Sequence, residues 1–367
     1  MTVNFNYHRL LHNSILYAFI ILACMSCNKP EQLTQPPDDP ITPTETPIPP
    51  PDASKPYLVY ASRDGALYEV NTDASIRYKM TDRSMSSRGP NVSPDGRFVA
   101  YFASSSTNNP GLYIMHSDGT KGIRCAEVAG QGQYYPLFSS WSADNNTVYF
   151  TSPKAGFFQI FSVQVDGRNE RKVTSLDQAM LAVASPSSSY LAFIGANAGY
   201  GAIWIQDLNS TAQARLLSTS GVTSNPIWSP DGIRLAITGN FDSPPDPGYA
   251  DVFVAAVNQG SFTRLTTDRC SGVRDWSLNG TSILFVSSRS GQQHLYAMNV
   301  DGTQQTQLPT SPGELNHAYF SPDSKKIAYE VIVSAGPPPR MQLFTMNLDG
   351  SNQIMAADSI TGFCWHR

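Results

Sequence analysis

An all-β chain of four-stranded antiparallel sheets repeated around a ring is what this sequence predicts, and three observations predict it. The first is a self-contained unit at residues 273–310, reading VRDWS-LNG-TSILFVSS-RSG-QQHLYAMNV-DG-TQQTQLPT. Its short apolar or alternating runs are separated by turn residues. Asn279-Gly280 and Asp301-Gly302 are dipeptides that tolerate positive φ in two-residue hairpins. The second is a copy at residues 225–267, NPIWS-PDG-IRLAIT and DVFVAAV-NQG-SFTRLTT, in which Trp228 answers Trp276 and Leu265 answers Leu308. The third is the period: self-similarity every roughly 40–50 residues, with four strands per unit, marks a β-propeller blade. The expected fold is a single seven-bladed propeller of four-stranded blades.

Bulk properties narrow the function. A net charge of −4 gives no basic field for nucleic acid, so no nucleic-acid partner is expected. Five cysteines without a repeated spacing do not support a disulfide framework.

Residues 1–23 are expected to be a lipoprotein signal peptide. His8-Arg9 precedes a charge-free apolar run at residues 15–25. That run falls short of the about 20 residues a spanning helix needs, and has the proportions of a signal core. Ile21-Leu22-Ala23-Cys24 resembles the lipobox of bacterial lipoproteins, which implies acylation of Cys24 and a membrane anchor through that lipid. Cys27, preceded by Ser26, is the alternative acceptor. Residues 24–56 follow as a lipid-anchored, disordered linker. Their prolines fix φ and remove donors, so the stretch neither pairs into a sheet nor forms a helix. At ~3.1 Å per residue its proline-rich part, residues 29–56, is long enough to hold the folded domain up to ~80 Å from its anchor.

The propeller occupies residues 57–367. YLVYAS, ALYEV and SIRYKM at 57–80 are three strands that lack the unit's usual first strand. The next blades start at Pro90 and at Pro136, the latter with Trp141 as its anchor. A degenerate fourth begins with LAVASPSSSYLAFIG; blades from Asn225, Val273 and His317 complete the series. Only GFCWHR remains, with Trp365 in the position of Trp228 and Trp276. This tail is expected to pair with the orphan strands, closing the ring with a composite blade from both chain ends and leaving no open sheet edge.

Trp228-Ser229-Pro230-Asp231-Gly232, Ser288-Arg289-Ser290-Gly291, Leu295-Tyr296 and Val300-Asp301-Gly302 resemble the TolB-type, WD-related propeller repeat. The resemblance covers nearly all of 57–367. It implies a periplasmic or surface interaction scaffold. In place of the separate N-terminal α/β domain of that family stands the proline-rich spacer.

The repeated aspartates (Asp95, Asp231, Asp323; Asp118, Asp166, Asp301, Asp349) fall in different blades, whereas calcium needs six to eight converging oxygens. An Asp accepting a nearby backbone N–H in a tight turn explains them. Trp141, Trp228, Trp276 and Trp365 are expected to pack blade on blade. Stacking on sugars is left to aromatics outside that register: Tyr134, Tyr135, Phe241 and Tyr249. Cys125, Cys270 and Cys364 read as unpaired small hydrophobes. No G-x-S-x-G or H-E-x-x-H motif occurs. A lyase in the axial channel would need several histidines there, and only His317 is placed near the axis. No catalytic residue, metal or cofactor is therefore expected.

Alternate connections of an up-and-down blade share a face. Those between first and second and between third and fourth strands are short turns. Those between second and third strands, on the opposite face, are long: SSSTNNPG, ANAGYG, GNFDSPPDPGYAD and SAGPPPR. Binding in a scaffold fold concentrates in such loops. The candidate recognition face therefore comprises Phe241, Asp242, Tyr249 and Arg340, with Arg274, Asp275 and His317 at the channel mouth. The expectation is a monomeric, non-enzymatic scaffold for an envelope protein or a surface glycan. A channel lyase and a carbohydrate-binding module are the alternatives.

Overall fold

The computed structural model describes residues 56–366, apart from 82–85, 105–109, 129–138, 155–156, 177, 198–199, 219–220, 223, 242–248, 335 and 337–338. The expected signal peptide and linker, with Cys24 and Cys27, lie outside the described residues except for Pro56. The described residues form 27 strands and no helix.

They assemble into five four-stranded sheets and one of seven strands. Each four-stranded sheet is a blade running outward from an inner strand, which contacts the inner strands of its neighbours. In blade 6 the order is Ser271–Trp276, Ser282–Ser287, His294–Asn299 and Thr306–Leu308. Its hairpins turn where the sequence places Asn-Gly and Asp-Gly: Gly280 and Gly302 have φ of 76° and 85°, a region open to glycine at little cost. All seven repeated aspartates accept the backbone N–H two residues on, as Asp301 does from Thr303 at 2.9 Å. These turns also reach sideways. Asp95 N–H donates to Asn145 Oδ1 (3.0 Å) and Ser187 Oγ to the Asp231 carbonyl (2.5 Å), each in the following blade.

The core is a series of layers between blades. Leu284, Val286, Leu295 and Leu308 of blade 6 pack on Leu315, Phe320, Ile327 and Tyr329 of blade 7. Within these layers the tryptophans bury their rings and use their polar edge as well. Trp141 donates Nε1–H to the Asn91 carbonyl (3.0 Å), Trp228 to Val183 (2.8 Å) and Trp365 to Tyr319 (3.2 Å), each on the preceding blade's inner strand. The buried Nε1 of Trp276 has no such partner among the described residues; Arg234 lies over its ring instead, 5.0 Å from the centroid. Trp228→Phe therefore forfeits a hydrogen bond worth about 1 kcal/mol, whereas Trp276→Phe relieves an unsatisfied donor. Urea titration should show Trp228→Phe the more destabilising of the two.

The seven-stranded sheet is two blades sharing one strand. Blade 7 consists of Glu314–Phe320, Lys326–Ser334, Arg340–Asn347 and the first half of the 13-residue strand Ile354–His366. The second half of that strand is the inner strand of blade 1, pairing Leu58 with Trp365 and Tyr60 with Phe363. Leu67–Asn71 and Arg77–Lys79 complete blade 1, giving seven blades in a closed ring. The composite blade is as the sequence predicts, but no turn separates the GFCWHR tail from blade 7. Ser359 (φ 56°) and Gly362 (φ 144°) carry the strand across the seam.

His366 locks this closure. Its Nδ1 faces the carboxylate of Glu69, and its Nε2 lies 2.9 Å from the Gly96 carbonyl in the first turn of blade 2. A carbonyl only accepts, so Nε2 donates. Burial pulls the imidazole pKa down, but the Glu69 hydrogen bond and charge, with the Gly96 carbonyl, outweigh it and raise the pKa above its ordinary value.

Two boundaries differ from expectation. Blade 2 begins at Ser86 rather than Pro90, because the ladder skips from Arg88 to Asn91. That bulge admits a proline, which has no N–H for the ladder. On either side of residues 198–199, which lie outside the described residues, ANAGYG belongs to two paired strands, with Asn197 opposite Tyr200.

Candidate functional site in the axial channel

The inner strands are not regular. In blade 6 the ladder runs Val273–Phe285 and then Asp275–Leu284, stepping over Arg274. In blade 7 it runs Leu315–Val331 and then Ala318–Tyr329, stepping over Asn316 and His317. Similar shifts occur at 88–91, 180–183 and 360–362 in blades 2, 4 and 1. A bulge frees a residue from the alternation of a strand and re-aims its side chain. In blades 6 and 7 the residues stepped over are polar, Arg274, Asn316 and His317, whereas in blades 2 and 4 they are Gly89-Pro90 and Leu181-Ala182.

Arg274 donates Nη1–H to the carbonyl of Val273 at 3.1 Å, while its Nε is buried without a partner among the described residues. Burial lowers the guanidinium pKa to about 10, so it remains cationic at neutral pH. Asp275 accepts the Phe320 N–H at 2.7 Å, tying the inner strands of blades 6 and 7. Beyond it, Glu330 is fully buried on the second strand of blade 7. Its Oε1 accepts from Asn316 Nδ2 and faces His317 Nδ1, both at 2.6 Å, and its Oε2 has no partner among the described residues. At the equivalent positions of blades 3 and 5 stand Thr151 and Thr238, whose hydroxyls accept N–H groups from the next blade's inner strand, Leu181 (3.3 Å) and Val273 (2.9 Å). Tyr319 lies among these groups. Burial, then the charges of Glu330 and Asp275, push its phenol pKa far up, so it stays protonated and able to donate.

The structure thus brings Arg274, Asp275 and His317 together and disperses the other expected site residues. Phe241 turns inward, stacking edge-on against Phe253 with centroids 4.7 Å apart and tilted on Phe262 at 5.0 Å. Its ring is engaged in blade 5 rather than offered to a sugar. Tyr249 lies beneath the Arg269 guanidinium, 4.8 Å from the ring centroid. Arg340 is paired with Asp358 through Nε (2.9 Å) and Nη2, and the carboxylate also accepts from Gln342 Nε2 at 3.1 Å and Ser359 Oγ at 3.2 Å. Arg340 holds the Asp358 carboxyl well below the usual carboxylate range. Asp242, like Tyr134 and Tyr135, lies outside the described residues. Cys125 is buried as expected of an inert thiol; Cys270 and Cys364 are half-buried. Sequence reasoning passed over Glu330, Asn316 and Tyr319. An acid interrupting the apolar run IAYEVIV was the available signal.

Comparison with known proteins agrees with this architecture. The family model for the TolB β-propeller domain matches residues 164–362, more than half of the chain. The Tol-Pal system protein TolB of Francisella tularensis is 24% identical over 194 residues, covering 50% of this chain. The chain spans only 43% of that relative's length. Among solved structures, TolB from Acinetobacter baumannii superposes with a TM-score of 0.55 at 20% identity, over 86% of this chain and 68% of its own. An oligogalacturonate lyase from Vibrio parahaemolyticus superposes with a TM-score of 0.58 at 12% identity, over 83% of this chain and 85% of its own. At such identities these likenesses speak for the fold alone.

Proposed function

This chain belongs to the TolB β-propeller domain family, and from that premise we propose that it is a non-enzymatic lipoprotein of the bacterial cell envelope whose propeller is a scaffold for another envelope protein. The observation that carries the reading is the family match, joined to the lipobox-like Ile21-Leu22-Ala23-Cys24 ahead of a proline-rich spacer. In this reading residues 1–23 are removed, Cys24 is acylated, residues 24–56 tether, and residues 57–367 bind as a monomer. The matched relatives are named for the Tol-Pal system, which supports a protein as the partner. The long-loop face, bearing Tyr249 and Arg340, is the surface proposed for it, on the periplasmic or the outer side of the envelope.

Two experiments on intact cells test this. Cys24→Ala should move the protein from the membrane to the soluble fraction. Release by Cys27→Ala but not by Cys24→Ala would shift acylation to the later cysteine, and release by neither would remove the anchor. A photo-crosslinking amino acid at Tyr249 or Arg340 should capture a second envelope protein. Capture from Gln304, on the short-turn face, and from neither of the other two would refute the choice of face.

A further inference from the structure

Arg274 is a charged group without a counter-ion. No carboxylate pairs with it among the described residues, and its only hydrogen bond runs from Nη1 to the adjoining Val273 carbonyl. Desolvating a cation costs several kcal/mol, and such a group is normally paired. Apart from Glu330 Oε2, which is buried and likewise without a partner among the described residues, the acids of the cluster are engaged elsewhere. Asp275 Oδ2 is turned to Phe320 N–H, and Glu330 Oε1 to Asn316 and His317, so neither acid answers the arginine. The unanswered edge has a defined chemistry. With Nη1 committed, Nε and Nη2 present two parallel N–H bonds, the side-on fork that matches the two oxygens of one carboxylate. Gly272 flanks the guanidinium: a Cβ there would stand 3.4 Å from Nη1 and 3.6 Å from Thr238, in ordinary contact, so a branched side chain at this position would crowd it. The protonated phenol of Tyr319 lies close enough to feel the guanidinium charge.

We propose that the axial channel holds a carboxylate-binding site anchored by the free edge of Arg274. It goes beyond the scaffold reading and does not depend on it, since the site is defined within this chain. The carboxylate arrives either on a small free acid or on an acidic side chain of a peptide threaded into the channel.

The test is thermal unfolding of the full propeller at fixed ionic strength, with chloride as the control. The probes are sodium acetate, an N-acetylated and C-amidated triglutamate peptide, and inorganic phosphate. Acetate or the peptide at ~10 times its Kd should raise the wild-type Tm by about 2 °C or more. A rise with both indicates that a free acid suffices; a rise with the peptide alone places the carboxylate on a peptide. Arg274→Met should abolish the rise. Without ligand it should melt no lower than wild type, because it removes a half-buried charge that has no ion-pair partner among the described residues. A merely structural arginine would lower Tm when replaced. Gly272→Val, which keeps the charge but crowds the guanidinium, should also blunt the shift and serves should Arg274→Met not fold. The site is refuted if neither carboxylate shifts wild type, if phosphate shifts it more, or if the shift persists in both variants.

Discussion

A chain truncated after Thr361 is expected to lose its cooperative unfolding transition and to associate in solution. Residues 362–366 are the inner strand of blade 1 and pair with Tyr57–Ala61. They bring Phe363 and Trp365, each 7% exposed, into the layer containing Leu58, Tyr60 and Val70. Deleting one such aromatic side chain costs about 3–5 kcal/mol, and a domain has only about 5–15 kcal/mol in total. Two aromatics and a ladder of backbone hydrogen bonds together rival the whole stability. The exposed flank of Tyr57–Ser62 would then be a free sheet edge, the usual template for association. Calorimetry and size-exclusion chromatography read both effects, and Trp365→Ala alone should lower Tm by about 10 °C. A truncated protein that stays monomeric with the full-length Tm would mean that the ring does not rely on its seam.

Stability should also fall as pH rises above neutrality, and His366 should be responsible. Its folded pKa is raised above the free value of about 6.5. The imidazolium therefore stabilises the fold fully below about pH 6.5, and this contribution is lost as pH rises through the folded pKa. Wild-type Tm measured from pH 6 to pH 9 should decline, and His366→Gln should flatten that decline while melting lower at pH 6. Glu69→Ala, which leaves the charged ring buried without its carboxylate, should cost about 3–5 kcal/mol at pH 6. Parallel pH profiles for wild type and His366→Gln would overturn the assignment.

Much of this architecture was legible because the blade repeat is written in residues with narrow physical options. A tryptophan at one position, an aspartate before glycine at another and alternating apolar runs between them fix strand, turn and layer. Even the ring closure could be read from a Trp365 left over without a blade. The seam was less legible. Asp358-Ser359-Ile360-Thr361-Gly362 has the composition of a turn, yet tertiary pairing on both sides holds it as strand. Phe241 looked like a loop aromatic because sequence shows proximity to prolines and not the direction of a ring. Arg274 and His317 were found from their place on inner strands, but the bulges that aim them have no compositional signature. Glu330 was missed because pattern reading treats a strand between apolar neighbours as core.

The strand shared by blades 7 and 1 also dictates where the polypeptide tolerates a change of length. At Ser290-Gly291, in the exposed connection between the second and third strands of blade 6, one added amino acid only lengthens a loop. At Thr361 nothing absorbs it. A single insertion would reverse the sidedness of every pairing that follows, exposing Phe363 and Trp365 and burying their polar neighbours. A rearranged gene with new ends at another connection would have to bridge this junction without altering its residue count.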